Sequence, residues 1–359
     1  MAYTTINKSS NFFDTLLWTG NAASSRAITG LNFQPDWSWA KNRDNSSRYH
    51  VVADSVRGSN GSGGMKLLYP NDTQGENTSA TDNFKTLDSN GFTIGSDANV
   101  NSNSENIVAW NWKAGTTGSG NTTGSGTYKT YSYSVSTISG FSIIKYVGNG
   151  SGGHTIPHHL GAVPDSMIIK NLDSTTDWTV YHKDVASPNT RRLRLNSNDY
   201  YNTDSSYWNN TSPSSTVFTV GSSTSTNGND TNYIAYCFTS ITGYSKLGGY
   251  TGKGNADGTF IYTGFKPALI IIKKATSSGS QNWRIIDNKR LGYNDKNNPL
   301  YPSIANSEGT SETTVDIISN GFKLRGTGDA INSNGVGYIY YAFASAPLVG
   351  SNNVPCTAK

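Results

Sequence analysis

Charge is scarce in this chain. Asp, Glu, Lys and Arg make up 14% of its 359 residues, against about a quarter in ordinary soluble proteins. The net charge of +4 is spread along the chain, so the basic stripe of a nucleic-acid binder is missing. The cysteines are Cys237 and Cys356, too few for a disulfide framework. Cys237 lies in an apolar run and reads as a buried thiol, while Cys356 lies in the tail. No apolar run approaches the ~18 residues of a membrane helix, so membrane insertion is not expected. Met1 to Ser10 lacks the charged head and apolar run of a secretory signal. The motifs of catalysis are missing as well: no nucleophile elbow, no His-Glu-x-x-His, no phosphate loop ending in Gly-Lys-Ser/Thr. Neither an enzyme nor a cofactor is expected.

What is present points to strands. Gly counts 38 and Tyr 21, and aromatic residues reach 11%. Aromatic and β-branched residues scattered among Gly, Ser, Thr and Asn suit many short strands joined by polar turns. No stretch carries a convincing helical period. Alternation in Phe141-Ser142-Ile143-Ile144-Lys145-Tyr146 and from Tyr233 to Phe238 suits sheets with one buried face.

An internal repeat organises the chain. Pro35 to Lys41, Pro164 to Lys170 and Pro267 to Lys273 each bracket five residues that read as a strand entered through its proline. Phe92, Phe218 and Phe322 follow the prolines by 57, 54 and 55 positions. Aromatic strands then close each copy: Ile107 to Trp112, Tyr233 to Phe238 and Tyr338 to Phe343. Leading hairpins are marked by Trp18-Thr19-Gly20, Tyr146-Val147-Gly148 and Tyr250-Thr251-Gly252. The expected fold is all-β: three tandem β-sandwich or jelly-roll-like repeats of about 100 residues. The expected boundaries are 1–114, 140–240 and 241–346, with a Gly/Ser/Thr-rich linker at 115–139 and a tail at 347–359.

Candidate sites are few. Gly148 to Gly153 fits GxGxxG but lies between two hairpin strands, with no helix to face a pyrophosphate. His154, His158 and His159 cluster, yet adjacent His158 and His159 face opposite sides of a strand; no metal site is expected. His50 and His182, each after a tyrosine, read as equivalent, with Ile286-Asp287 in their place in the third copy. Asp97-Ala98-Asn99 imitates the start of a calcium loop but lacks its later Gly and Glu. Tyr200, Tyr201, Tyr207 and Trp208 crowd one polar loop. They could stack on sugar rings or meet a partner protein, or they could pack on their own sandwich.

Several of these pieces resemble one family. Met1-Ala2-Tyr3-Thr4-Thr5-Ile6-Asn7-Lys8-Ser9, Trp18-Thr19-Gly20-Asn21, Phe33-Gln34-Pro35-Asp36-Trp37-Ser38-Trp39, Asp54-Ser55-Val56-Arg57-Gly58 and Val108-Ala109-Trp110-Asn111-Trp112 resemble virion proteins of tailed bacteriophages, especially phages of marine bacteria and cyanobacteria. So do His158-His159-Leu160-Gly161, Gly243-Tyr244-Ser245-Lys246, Ser319-Asn320-Gly321-Phe322 and Tyr338 to Phe343. The family commonly has Gly where this chain has His159. The resemblance implies a virion structural protein, a tail-fibre or appendage component assembled in the host cytoplasm, with other virion proteins, copies of itself and a host-surface glycan as expected partners. A capsid decoration protein and a free lectin-like protein are the alternatives. A depolymerase would need a carboxylate pair in a groove, and the sequence nominates none.

Overall fold

The computed structural model describes residues 4–276, 279–290, 294, 296–310, 312 and 314–347. Cys356 and the tail beyond 347 lie outside the described residues. The first third contains β1 (Phe13–Thr19), β2 (Arg26–Thr29), β3 (Trp37–Asn42), β4 (His50–Asp54), β5 (Phe84–Asp88), β6 (Gly91–Ile94), a one-turn helix α1 (Ala98–Asn101) and β7 (Asn106–Trp112). They pair as a four-stranded sheet, β1-β7-β3-β4, and a three-stranded one, β2-β6-β5.

The middle third adds β8 (Thr116–Asn121), β9 (Thr123–Gly124) and β10 (Thr130–Ser136), then β11 (Phe141–Val147), β12 (His154–Pro157), β13 (Ser166–Asn171) and β14 (Thr179–His182). It ends with β15 (Arg191–Arg194), β16 (Asn202–Thr203), β17 (Val217–Val220), α2 (Thr224–Asn227) and β18 (Asn232–Phe238). Its sheets run β16-β15-β14-β13-β18-β11-β10-β8 and β17-β12-β9.

The last third holds β19 (Ser245–Thr251), β20 (Phe260–Tyr262), β21 (Phe265–Lys274), β22 (Arg284–Asp287), β23 (Val315–Ile318), β24 (Gly321–Leu324) and β25 (Gly337–Pro347). Its sheets run β19-β25-β21-β22 and β20-β24-β23. The chain is all-β, and every pairing between its named strands is antiparallel.

In each third, hereafter a module, one order recurs: the leading strand (β1, β11 or β19) lies against the closing strand (β7, β18 or β25), which lies against the proline-led strand (β3, β13 or β21) and then against β4, β14 or β22, each the fourth strand of this core set. Each module buries an inner core between its two sheets, with Phe92, Phe218 or Phe322 in it. The far faces of the three large sheets share a further core. Along the closing strands the residues alternate between the two. Val108, Trp110 and Trp112, Ile234, Tyr236 and Phe238, and Ile339, Tyr341 and Phe343 enter the shared core. Tyr233 and Cys237, or Tyr338 and Tyr340, enter their own module's core. The shared core is aromatic at its centre: Trp37 lies 4.6 Å from both Trp112 and Tyr236, and Phe343 lies 5.3 Å from Phe13 and 5.9 Å from Phe238.

This corrects the expectation of one buried face. Trp37-Ser38-Trp39-Ala40-Lys41-Asn42 is buried at every position, as is Ser166 to Asn171. Antiparallel sheets often leave one face to water, but here the central strands of each large sheet are covered on both sides, while outer strands such as β8 stay exposed. The Ser, Lys and Asn positions alternating with apolar ones therefore do not mark a solvated face.

The expected linker is also corrected. Residues 116–121 and 130–136 form β8 and β10, which extend the middle sheet beyond β11, and β9 pairs with β12. Tyr131 and Val135 enter that module's core. The glycines are there for close approach: a Cβ on Gly118 would stand 2.6 Å from the Tyr133 hydroxyl oxygen. Pro35 and Pro164 precede their strands, whereas Pro267 lies inside β21, at a shift in register with β25.

A buried asparagine recurs after each Phe strand. Asn101 Nδ2 donates to Gly95 O and Ala23 O, and its Oδ1 accepts from Asn21 N. Asn227 does the same with Gly221 O, Ser151 O and Asn149 N, and Asn332 with Gly326 O, Asn255 O and Lys253 N. Each ties the leading turn to the bend before the closing strand. The neighbouring glycine allows it: a Cβ on Gly20, Gly148 or Gly252 would stand 1.9, 2.4 or 2.3 Å from the carbonyl oxygen of Ser102, Gly228 or Ser333. Asp97 is the N-cap of α1, accepting from Asn99 N at 2.8 Å.

Removing one of these amides strands three backbone groups in the interior. Asn227→Ala is expected to cost about 2–4 kcal/mol, and Asn101→Ala a similar amount. The exposed Asn202→Ala should stay within about 0.5 kcal/mol. Urea midpoints of the three variants check this, and equal midpoints would reject the role given to the amides.

Candidate functional site

The predicted recognition loop does not form an open aromatic platform. Trp208 is 1% exposed; its indole N–H donates to Arg191 O at 2.8 Å and its ring meets Tyr181 edge-on. Tyr207 is buried in the same core, with the Arg192 guanidinium 4.2 Å above its ring. Tyr201 is half-buried under the Arg191 guanidinium at 4.0 Å, and only Tyr200 stands exposed, edge-on to Tyr201. The apolar bodies of Tyr207 and Trp208 close the open side of the middle sandwich, so neither ring can stack on a ligand.

The histidines are occupied one by one. His154 lies between Asn227 Oδ1 at 3.0 Å and Thr122 Oγ1 at 2.6 Å. His158 Nε2 meets Ser214 O at 3.1 Å, and its Nδ1 accepts from Leu160 N. His159, at φ +60°, stacks 3.8 Å from Tyr133. Among the described residues no group of three or more His, Cys, Asp or Glu side chains is placed to hold a metal ion.

The chemically richest positions lie where modules meet, and the sequence reading passed over them. Asp54 ends β4, and Arg57 three residues on is held against it, Nε to Oδ2 at 2.5 Å, both side chains fully buried. Arg57 also donates to Val52 O, Lys66 O and Glu76 Oε1. From the middle module, Tyr236 Oη donates to Asp54 Oδ2 at 2.7 Å. The last module repeats the device. Asp287 ends β22, and Arg290 Nε donates to its Oδ2 at 2.7 Å, with further bonds to Ile285 O, Asn298 O and Glu308 Oε2. Here Trp110 Nε1, from the first module, donates to Asp287 Oδ2 at 2.9 Å. At the remaining junction Tyr341, from the last module, meets Ser166 Oγ at 2.5 Å and packs edge-on to His182 of the middle one. The contacts close a ring: first to last, last to middle, middle to first.

A second set of contacts runs around the same ring. Trp178 Nε1 donates to Tyr69 O and Trp283 Nε1 to Arg194 O, at 3.0 and 2.8 Å. In the first module the place is taken by His50, whose Nε2 meets Tyr301 O at 3.0 Å while its Nδ1 accepts from the Trp39 indole. His50 is thus a neutral donor, and burial first, then the charge of Lys41, holds its pKa well below the ordinary value. The buried lysines follow: Lys170 Nζ donates to Thr73 O, and Lys273 Nζ to Asn198 O, each a carbonyl of the neighbouring module. Burial lowers Lys41 and Lys273 to about 7 and Lys170 to about 8.

Strand register corrects the pairing of the two histidines. His182 stands opposite Ser166 as Asp54 stands opposite Trp37, whereas His50 faces Lys41 at the other end of its strand. His182 therefore replaces the Asp of the other two junctions. Burial pushes it down to about 3. The clue in the sequence was Asp-x-x-Arg in Asp54 to Arg57 and Asp287 to Arg290, too short to single out without knowing that it follows the fourth strand.

These groups face one another across junctions. An open space lies elsewhere: a groove of about 820 Å³ runs along β19, between the Lys183-Asp184 turn and the exposed Phe260 and Tyr262. A smaller one, about 530 Å³, lies beside Ser55, Val56, Thr117 and Tyr133.

Two outcomes follow from the junctions. Arg57→Met leaves Asp54 as a buried, uncompensated carboxylate, as Arg290→Met leaves Asp287, and each should cost about 3–5 kcal/mol in urea unfolding. An effect near zero would rule out the junction as a support. Second, all five histidines are held below the ordinary value, first by burial. A depressed histidine gives its full stability above the unfolded pKa of about 6.5, and loses it as pH falls toward the folded value. The melting temperature should therefore decline already between pH 6.5 and 4.5, and His182→Gln should decline less steeply. A flat profile in that window would contradict the burial of neutral imidazoles.

The chain was also compared with known proteins. It belongs to the family described as a domain of unknown function (DUF7483), whose model matches residues 8–347. No curated protein and no solved structure matches it.

Proposed function

We propose that this DUF7483 chain is a structural component of a tailed-phage particle. It would be a tail-fibre or appendage protein made of three copies of one sandwich module, serving as a rigid scaffold in assembly and host attachment. The observation that carries the reading is closure. Each module joins both others through buried hydrogen bonds and one aromatic core, so the three move as a single body. Sheets buried on both faces resist local opening, which suits a part that transmits force or holds an attachment point in place. The sequence resemblance to tailed-phage virion proteins, spread from the first residue to about Pro347, is what suggests the particle context.

Attachment through many copies would let weak contacts add up. Of the loop nominated for glycan contact, Tyr200 and the rim of Tyr201 are what the surface offers, so a single tight sugar site there is not part of the reading.

Peptide mass mapping of purified particles is the direct test. Peptides of this chain should appear in a fixed ratio to the other virion proteins. Their absence from intact particles would end the proposal. A high ratio to the major capsid protein would favour capsid decoration over a tail appendage.

A further inference from the structure

Each junction sets the strand that borders one module's closing strand beside the turn after the fourth strand of the neighbour: β11 beside Ser55-Val56, β1 beside Asn288-Lys289 and β19 beside Lys183-Asp184. What covers these strands differs. Beside the Ser55-Val56 turn, the groove along β11 is filled by the chain's own β10, with β8 beyond it. Residues 130–136 pair with β11 from Tyr131↔Tyr146 to Ser136↔Phe141, and β9 covers the adjacent edge of β12. Beside the Asn288-Lys289 turn, the edge of β1 is guarded: the Asp14 carboxylate takes the Thr15 N–H at 2.8 Å and stands 3.5 Å from Lys289 Nζ. Beside the Lys183-Asp184 turn, β19 and β20 are both outermost strands, with no strand paired to their outer edges among the described residues; Lys246 Nζ reaches from β19 to Tyr262 O at 2.7 Å, and this is the 820 Å³ groove.

The free edge of β19 can be read group by group. Gly252 N bonds Val336 O on the β25 side, so even positions face β25 and odd ones face outward. Ser245 is tied to Ile241, and Leu247 N donates to Ser240 Oγ. Gly249, exposed, has no partner for its N–H or C=O among the described residues. By register, Ser245 and Gly249 correspond to Phe141 and Lys145, since Ser245↔Phe343 matches Phe141↔Phe238. The partner of Lys145 is Ser132 of β10. An unpaired strand edge flanked by aromatics is what added strands dock on.

We propose that the groove along β19 receives an extended strand from another polypeptide, in which aromatic residues alternate with small hydroxyl-bearing ones. The chemistry is set by the precedent within the chain. In Tyr131-Ser132-Tyr133-Ser134, Tyr131 and Tyr133 turn toward the module's own core and the serines alternate with them. On β20, Phe260 and Tyr262, 45% and 48% exposed, supply the facing aromatic surface. Small side chains are needed on the other side, because a Cβ on Gly249 would already stand 3.0 Å from Asp184 Cβ. The inference does not rest on the particle reading, since it concerns peptide binding by the isolated chain.

A fluorescein-labelled peptide with the sequence of residues 128–137 is the probe, titrated with the full chain by anisotropy. Saturable binding is expected, weakened at least about tenfold by Gly249→Pro, which removes the open N–H. N-methylation of the peptide at the positions of Ser132 and Ser134 should abolish binding, while N-methylation at Tyr131 and Tyr133 should leave it. If Gly249→Pro does not fold, the pair Phe260→Ser and Tyr262→Ser decides the matter, since these exposed rings border the β19 groove and not β11: binding should weaken at least about tenfold, and unchanged binding would mean exchange on β11. No saturation, equal binding of a scrambled peptide, or indifference to methylation at Ser132 and Ser134 would overturn the proposal. So would binding untouched by a folded Gly249→Pro, which would mean exchange with β10 on β11.

Discussion

Covering both faces of the central strands in every large sheet is the constraint from which the rest follows. A sheet face turned toward two other sheets can carry no unpaired polar atom without a penalty of one to several kcal/mol each. The charged residues that lie there are accordingly matched in place: Asp54 and Asp287 by an arginine and a ring N–H or O–H, Lys170 and Lys273 by carbonyls, and neutral His50 by an indole and a carbonyl, whereas the Trp37 and Trp112 indole N–H groups are buried without a hydrogen-bond partner. Apolar packing supplies the bulk of the driving force. The polar pairs decide which module sits against which.

The three junctions are alike in geometry but not in chemistry. Two join a carboxylate to an arginine, and the third uses Ser166 and a neutral His182. Ion pairs of this depth contribute little net stability against a well-packed apolar substitute, because desolvation offsets their attraction. They do penalise mispairing: Trp110 facing Ser166 instead of Asp287 would leave the carboxylate short of a donor. Difference among the junctions thus specifies one cyclic order for three bodies of similar shape.

The sequence made legible whatever repeats along the chain. Phe92, Phe218 and Phe322 recur because each inner core needs one, and the closing aromatics recur because that strand feeds both its own core and the shared one. Contacts between modules were hidden, since they join residues such as Trp110 and Asp287 that no spacing relates. Lys41, Lys170 and Lys273 were visible as landmarks, yet nothing in a charged side chain announces burial. The Asn latches were lost among the many turn-forming asparagines. Residues 116–136 misled by composition: glycines that admit Tyr131 and Tyr133 look like the glycines of a flexible tether. Trp208 misled the other way, its polar neighbours suggesting an open loop around a ring that lies inside.

The ring also has a bearing on how the protein is made. Trp112 and Phe13 rest against Phe343, so the first module's aromatic wall has no final cover until the last closing strand leaves the ribosome. At ordinary elongation speeds of about 5–20 residues per second, that interval is roughly 10–50 s. Throughout it Phe13 and Trp112 lack the cover that Phe343 gives them, even once Tyr236 and Phe238 have reached Trp37. Translation tempo, or a chaperone able to mask that wall, therefore belongs among the conditions for obtaining the native molecule.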